Sequence, residues 1–241
     1  MKKHIPNVIT FLNLFSGCIA VLFAVNGNMK MTALFVFLGI FFDFFDGLLA
    51  RKLKVQSELG VQLDSLADMI TSGLVPGLVM MHLLNLSLKS GWNENALGNS
   101  FQFDEISYIP FIGLLITIAS SYRLGKFNIS DNQQDAFIGL PTPANTLLVL
   151  SLPLIIEFEN NDAINAIIIN QWFLIGFTLL SCYLLNANIK LLALKFKNFG
   201  FKDNAARYIL IILSAVLLII LKFAAIPVII LTYIIISLLN K

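Results

Sequence analysis

The chain has 241 residues, of which 58% are hydrophobic and only 12% charged, and its mean hydropathy is +0.84. These values place it among polytopic membrane proteins and exclude a soluble domain, because no soluble core needs so much apolar sequence. The net charge of +2 carries no message by itself, and nucleic acid is not an expected partner.

At about 20 apolar residues per crossing, eight candidate spans emerge, near 7–27, 31–51, 61–86, 106–124, 141–158, 164–187, 206–223 and 225–240. The expected fold is therefore an all-α polytopic membrane bundle. It forms a single domain over 1–241, with a core at 1–187 and a basic loop plus C-terminal hairpin at 188–241. The first span follows a short basic lead. Its apolar run is too long for a signal peptide and has no convincing small-residue cleavage site, so it reads as a retained span. Within it, Asn7, Thr10 and Asn13 recur every three residues and would form one polar strip on a helix. Cys18 lies in this apolar run and Cys182 in another, which suggests neither a disulfide nor a metal site.

The second and third spans carry four carboxylates at a depth where each charge costs several kcal/mol. Asp43 and Asp46 stand three apart, and Asp64 and Asp68 four apart, so each pair shares a helix face. An antiparallel hairpin turning near Val55 and Gln56 would bring all four to a similar depth. Like charges this close would neutralise some of the group unless cations bind among them. An all-oxygen set without His or Cys favours magnesium or manganese, and two ions sharing bridging carboxylates is an arrangement used for phosphoryl transfer. Buried ion pairs would need matching bases, and Arg51 alone cannot balance four charges. Gly47, Ala50 and Gly60 would allow close approach of a backbone or ligand, and Arg51 offers a forked donor for phosphate. Further along, Gly73 and Gly77 read as a small-residue packing face or a dimer face, and His82 as a packed histidine rather than a base.

After the fourth span comes a polar loop, 121–146, in which Arg123 and Lys126 stand three apart. The last two spans are separated only by Lys222–Ala225, which allows either a tight hairpin or one kinked element. With both termini in the cytoplasm, only Lys30, Lys89 and Lys222 of the 16 basic residues fall outside, which is the expected asymmetry. The carboxylate hairpin then faces the cytoplasm. A cation or proton transporter is the competing class, but it would place its acids near the midplane and interrupt its spans symmetrically, whereas these acids cluster toward one side, in the first half only.

Asp43, Asp46, Gly47, Ala50, Arg51, eight residues, Gly60, three residues, Asp64, three residues, Asp68: this spelling resembles, without departure, the signature of the CDP-alcohol phosphatidyltransferase family. The opening IPNVITFLNLFSG, the 121–146 loop, and Asn188 with the basic run from Lys190 to Lys197 are similar to its phosphatidylserine synthase branch. The resemblance implies transfer of a phosphatidyl group from CDP-diacylglycerol to an alcohol, foremost L-serine, with glycerol 3-phosphate or inositol as alternatives. It also implies one ion on Asp43, Asp46 and Asp64 and another on Asp43, Asp64 and Asp68, with Asp68 as general base. Nucleotide contacts are expected from Asn7, Thr10, Asp43, Asp46, Gly47, Ala50, Arg51 and Gly60, and serine contacts from Arg123 and Lys126. A homodimer in a bacterial inner membrane is implied as well. The covalent phospholipase-type route to the same product needs a His-x-Lys motif, which neither His4 nor His82 provides.

Overall fold

The computed structural model describes residues 4–88, 107–129, 137–159, 161–192 and 201–239. Pro6 occupies the first turn of α1 (Ile5–Val25), where its missing N–H costs nothing. Gly27, at φ 73°, makes the turn into α2 (Met29–Leu53), and Asn28 Oδ1 caps that helix by accepting the Met31 N–H at 3.1 Å. Lys54 closes α2 in the left-handed region at φ 55°. Ser57 Oγ then accepts the Gly60 N–H at 3.1 Å to open α3 (Glu58–Asp68). The reversal therefore spans Val55 and Gln56, as expected.

Past Asp68 the helix widens into a π-helical segment, Met69–Leu74, and continues as α4 (Val75–Leu88). This 31-residue run is the axis of the bundle. Its most apolar window is 72% buried, against 33% for α1 and 22% for α2. Val75, Val79, Met80, Leu83 and Leu84 are fully covered and form the main core with Val149, Leu150 and Leu174. Several aromatic side chains of α1 and α2 point the other way: Phe11, Phe15, Phe37, Phe41 and Phe44 are exposed, as lipid-facing residues are.

A 3-10 turn, Ile109–Leu114, leads into α5 (Leu115–Asn128). There follow α6 (Thr142–Glu159), α7 (Asp162–Ile168) and α8 (Gln171–Asn186), the last two capped by Asn161 and Asn170. The only pairing of strands among the described residues is a two-residue antiparallel ribbon, β1 (Phe137–Ile138) against β2 (Lys190–Leu191), with Phe137 opposite Leu191. The polar loop is thus pinned to the chain that follows α8. The rest of it, 130–136, lies outside the described residues. So do 89–106, which hold most of the expected outer loop, and the part of the basic run from 193 to 197.

The molecule is an all-α polytopic membrane protein, but length and composition do not reproduce eight uniform spans. Among the described residues four helical runs are long and apolar enough to cross a membrane, or five when α7 and α8, bent by 62° at Ile169 and Asn170, count as one. The expected sixth span is therefore two helices with a sharp bend between them. The last run, Arg207–Leu239, passes as a continuous helix, yet it folds back on itself. The Ala224 N–H donates to Glu159 Oε1 at the end of α6. At the other end of α10 (Ala225–Leu239), Tyr233 Oη donates to Leu192 O at 2.9 Å, and Ser237 Oγ accepts the Leu192 N–H. Leu210 of α9 (Phe201–Leu221) and Tyr233 of α10 also line one cavity beside Pro141. Lys222, at φ 45°, makes the reversal, so the two helices form the tight hairpin.

The Gly73 and Gly77 face is used inside the chain. Thr117 Oγ1 donates to Gly73 O at 3.1 Å, and a Cβ on Gly77 would collide with the Thr117 hydroxyl. His82 is 4% exposed within this packed region.

Candidate active site

The polar strip of α1 lies in the cleft between α2 and α3. The spacing Asn7, Thr10, Asn13 puts each residue about one turn from the next, and each meets a different part of the hairpin. Asn7 Oδ1 lies 3.5 Å from where a Cβ on Gly60 would stand. Thr10 Oγ1 donates to Asp46 Oδ2 at 2.5 Å. Asn13 Nδ2 donates to Asp68 Oδ1 at 3.3 Å. A strip that could have served only as caps therefore contacts two of the four aspartates.

Carboxylate oxygens of Asp43, Asp46 and Asp64 all lie within 4.8 Å of one another. Asp46 is buried, at 5% exposure, while Asp43 and Asp64 are half-buried. Asp64 Oδ1 is buried without a hydrogen-bond partner. Among the described residues no ion pair is recorded to any of the four aspartates; the recorded pair, Lys30 with Glu157 at 2.7 Å, joins the start of α2 to the end of α6. Three converging carboxylates, one with an orphaned oxygen, form an all-oxygen set that fits a hard divalent cation. Asp68 stands outside this group of three. It lies one turn further along α3 from Asp64, against Asn13, so the four acids form a triad and a neighbour rather than one level ring.

The small residues differ in purpose. A Cβ on Gly47 would meet nothing nearer than Arg51 Nη2 at 4.0 Å, so the space beside it is open. Ala50 is half-buried and Arg51 exposed on the last turn of α2. Gly47, Ala50 and Arg51 therefore border the carboxylates on the exposed side, and a Cβ on Gly60 would crowd the capping Ser57 Oγ at 3.1 Å.

Arg123 is positioned differently from the aspartates. Its Nη1 donates to Ile138 O at 2.7 Å and to Leu185 O at 2.8 Å, tying β1 to the C-terminal turn of α8. Gly139, at φ 73°, leaves room for this clamp, since a Cβ there would stand 2.9 Å from Arg123 Nη1. Lys126, one turn on, is exposed. Asn128, at the end of α5, returns to α3 by accepting from Ser65 Oγ and donating to Gln62.

Three residues of this region carry no assignment from sequence reasoning. Thr71, fully buried, donates to Asn13 Oδ1 at 2.8 Å. Gly17 and Gly39 flank it, and a Cβ on either would collide with Thr71. Thr71 follows Asp68 by three residues, so it belongs to the same helix face as Asp64 and Asp68. That spacing is the signal that could have found it. Gly17 and Gly39 have no such signal, because what they accommodate comes from another helix.

Comparison with known proteins agrees with this arrangement. Residues 3 to 182 match the model of the CDP-alcohol phosphatidyltransferase family. A CDP-diacylglycerol–serine O-phosphatidyltransferase of Bacillus subtilis is 33% identical over 169 residues, covering 68% of this chain and 81% of that protein. One from Helicobacter pylori is 31% identical over 147 residues, covering 60% and 55%. An archaetidylserine synthase of Methanothermobacter thermautotrophicus is 25% identical over 150 residues, covering 61% and 56%. The chain thus spans most of the first relative and about half of the other two. The matched stretch contains α1, the whole carboxylate hairpin and the helices that support it, and the chain belongs to the CDP-alcohol phosphatidyltransferase family.

Proposed function

We propose that this protein transfers the phosphatidyl group of CDP-diacylglycerol to the hydroxyl of L-serine, releasing CMP and forming phosphatidylserine. The observation that carries the reading is the group of Asp43, Asp46 and Asp64 within 4.8 Å, with Asp68 beside it on the same face of α3. Serine as acceptor draws its support from the names of the relatives in Bacillus subtilis and Helicobacter pylori.

In this reading Asp43, Asp46 and Asp64 would hold one Mg²⁺ or Mn²⁺, and Asp43, Asp64 and Asp68 a second, which would supply positive charge against the diphosphate and the departing CMP. Asn7, Thr10, Gly47, Ala50, Arg51 and Gly60 receive the nucleotide. The open space at Gly47 admits it closely, and Arg51 supplies a two-pronged donor for phosphate. Asp68 takes the proton of the serine hydroxyl. The hydroxyl oxygen forms its bond to the phosphorus that carries the diacylglycerol, the bond from that phosphorus to CMP breaks in line, and its electron pair leaves with CMP. Arg123 and Lys126 provide cations for the serine carboxylate. Arg123 also clamps two carbonyls, which leaves Lys126 as the exposed member of the pair. The protein works as a homodimer in a bacterial inner membrane, with the hairpin turn on the cytoplasmic side.

The test is CMP release by purified protein given CDP-diacylglycerol and a panel of serine, inositol and glycerol 3-phosphate. Serine-dependent release is expected. Release with another alcohol alone would overturn the acceptor, and ion flux in liposomes without any CMP release would overturn the transferase reading.

A further inference from the structure

Asn13 of α1 links two side chains that stand three residues apart on the neighbouring helical run, Asp68 at the end of α3 and Thr71 in the π-helical segment. Its carboxamide lies between Asp68 Oδ1 at 3.3 Å and Thr71 Oγ1 at 2.8 Å, and the Thr71 hydroxyl is also 3.3 Å from the Asn13 main-chain carbonyl. The directions of these bonds follow from what each atom can do. An ionised carboxylate only accepts, so the Asn13 NH₂ faces Asp68 and Oδ1 faces Thr71. Both neighbours of the Thr71 hydroxyl are then acceptors, and its single proton is donated to the nearer, Asn13 Oδ1, with the main-chain carbonyl as the longer arm of a bifurcated bond. Asn13 and Thr71 are both fully buried, so no water can take over either bond.

The surroundings hold Thr71 in place. Gly17 of α1 and Gly39 of α2 close on it from two sides, and a Cβ at Gly39 would stand 2.6 Å from Thr71 Cγ2 and 2.9 Å from Asn13 Oδ1. Thr71 also belongs to the π-helical segment that begins directly after Asp68, a local geometry often found at functional sites.

We propose that Thr71 is a positioning residue for Asp68, acting through Asn13: its hydroxyl fixes the orientation of the carboxamide, and the carboxamide fixes the carboxylate. This rests on Asp68 taking the serine proton, and it adds a residue that touches neither substrate nor cation. A carboxylate free to turn would spend less time in line with the serine hydroxyl, and misplacement by about 1 Å can cost about a hundredfold in rate.

The experiment compares Thr71→Val, Thr71→Ser, Asn13→Ala and the Asn13→Ala/Thr71→Val double variant in the full-length protein. Three readouts are used: serine-dependent CMP release, Mn²⁺ binding followed by electron paramagnetic resonance, and thermal unfolding. Thr71→Val should lower kcat tenfold or more with KM for CDP-diacylglycerol and Mn²⁺ affinity at Asp43, Asp46 and Asp64 unchanged, and Thr71→Ser, which keeps the donor, should restore kcat. If Thr71 acts through Asn13, the double variant is no slower than Asn13→Ala. A wild-type kcat in Thr71→Val, equal losses in the Val and Ser variants, or losses that multiply in the double variant would each overturn the proposal. Should Thr71→Val fail to fold, Thr71→Ser against Asn13→Ala still decides it: the first must stay active and the second must slow. Asp68→Asn is run in parallel. Activity in that variant would sink the proton-acceptor role itself, whereas an inactive Asp68→Asn beside a normal Thr71→Val would sink only the positioning role.

Discussion

Gly39 and Gly47 lie on the same helix eight residues apart, and replacing each by alanine should have opposite consequences. At Gly39 the added Cβ would stand 2.6 Å from Thr71 Cγ2 and 2.9 Å from Asn13 Oδ1, both buried and neither able to retreat. Overpacking of this kind costs about 1–3 kcal/mol. The intrinsic advantage of Ala over Gly inside a helix returns about 1 kcal/mol. The balance is a loss of up to about 2 kcal/mol, a fall in Tm of a few °C for a chain of this size. At Gly47 the nearest atom to the new Cβ is Arg51 Nη2 at 4.0 Å, so there is no clash and the helix gain stands alone. Gly47→Ala should therefore unfold at the same temperature or higher. Its KM for CDP-diacylglycerol should rise, because the methyl fills space that the nucleotide would use. Thermal unfolding in detergent and CMP release with each substrate varied would measure both effects. An unchanged KM in Gly47→Ala would remove Gly47 from the ligand's path, and an undiminished Tm in Gly39→Ala would show that α1, α2 and the π-helical segment are not as closely packed as described.

Asp68→Asn should abolish serine-dependent turnover, a loss of about 10² to 10⁴, while Mn²⁺ and nucleotide binding persist on Asp43, Asp46 and Asp64; near-wild-type turnover would argue against the base assignment. Asp43→Asn should instead impair Mn²⁺ and CDP-diacylglycerol binding together, and binding that survives would remove Asp43 from the shared position. Arg123→Lys should raise KM for serine more than KM for CDP-diacylglycerol, and should also lower Tm, since the shorter Lys side chain cannot place its donors where Arg123 Nη1 reaches both Ile138 O and Leu185 O; a fall in Tm with both KM values unchanged would make Arg123 a clamp alone. In a cysteine-free background, a cysteine at Gln56 should react with a membrane-impermeant reagent only from the cytoplasmic side and one at Asn161 only from the other, and the reverse pattern would put the hairpin on the wrong face for CDP-linked substrates.

Much of the site was legible before any fold was considered, because its parts are local. The i, i+3 and i, i+4 spacings of Asp43, Asp46, Asp64 and Asp68 place them on helix faces, the short break at Val55 and Gln56 reverses the chain, and the cost of charge in an apolar span marks them as functional. Membrane class and all-helical architecture likewise follow from apolar content alone. The polar strip on α1 was legible as a strip, but its partners were not: that Thr10 meets Asp46 and Asn13 meets Asp68 depends on how α1 enters the cleft, which no periodicity encodes. The division of the aspartates into a group of three with Asp68 beside it also belongs to the tertiary structure, since equal distance from a turn fixes depth but not the rotation of each helix about its axis. The same is true of the Gly73 and Gly77 face, which α5 covers within the chain, and of Arg123, whose acceptors lie 15 and 62 residues away. Hydropathy marks 164–187 as one apolar stretch but carries no sign of its bend, because capping by Asn170 restarts the helix there and turns the path by 62°. Sequence determines which faces are polar and where helices begin. Which polar face meets which, and through what buried hydroxyl, is decided only when helices distant in the chain pack closely enough that a single methyl would keep them apart.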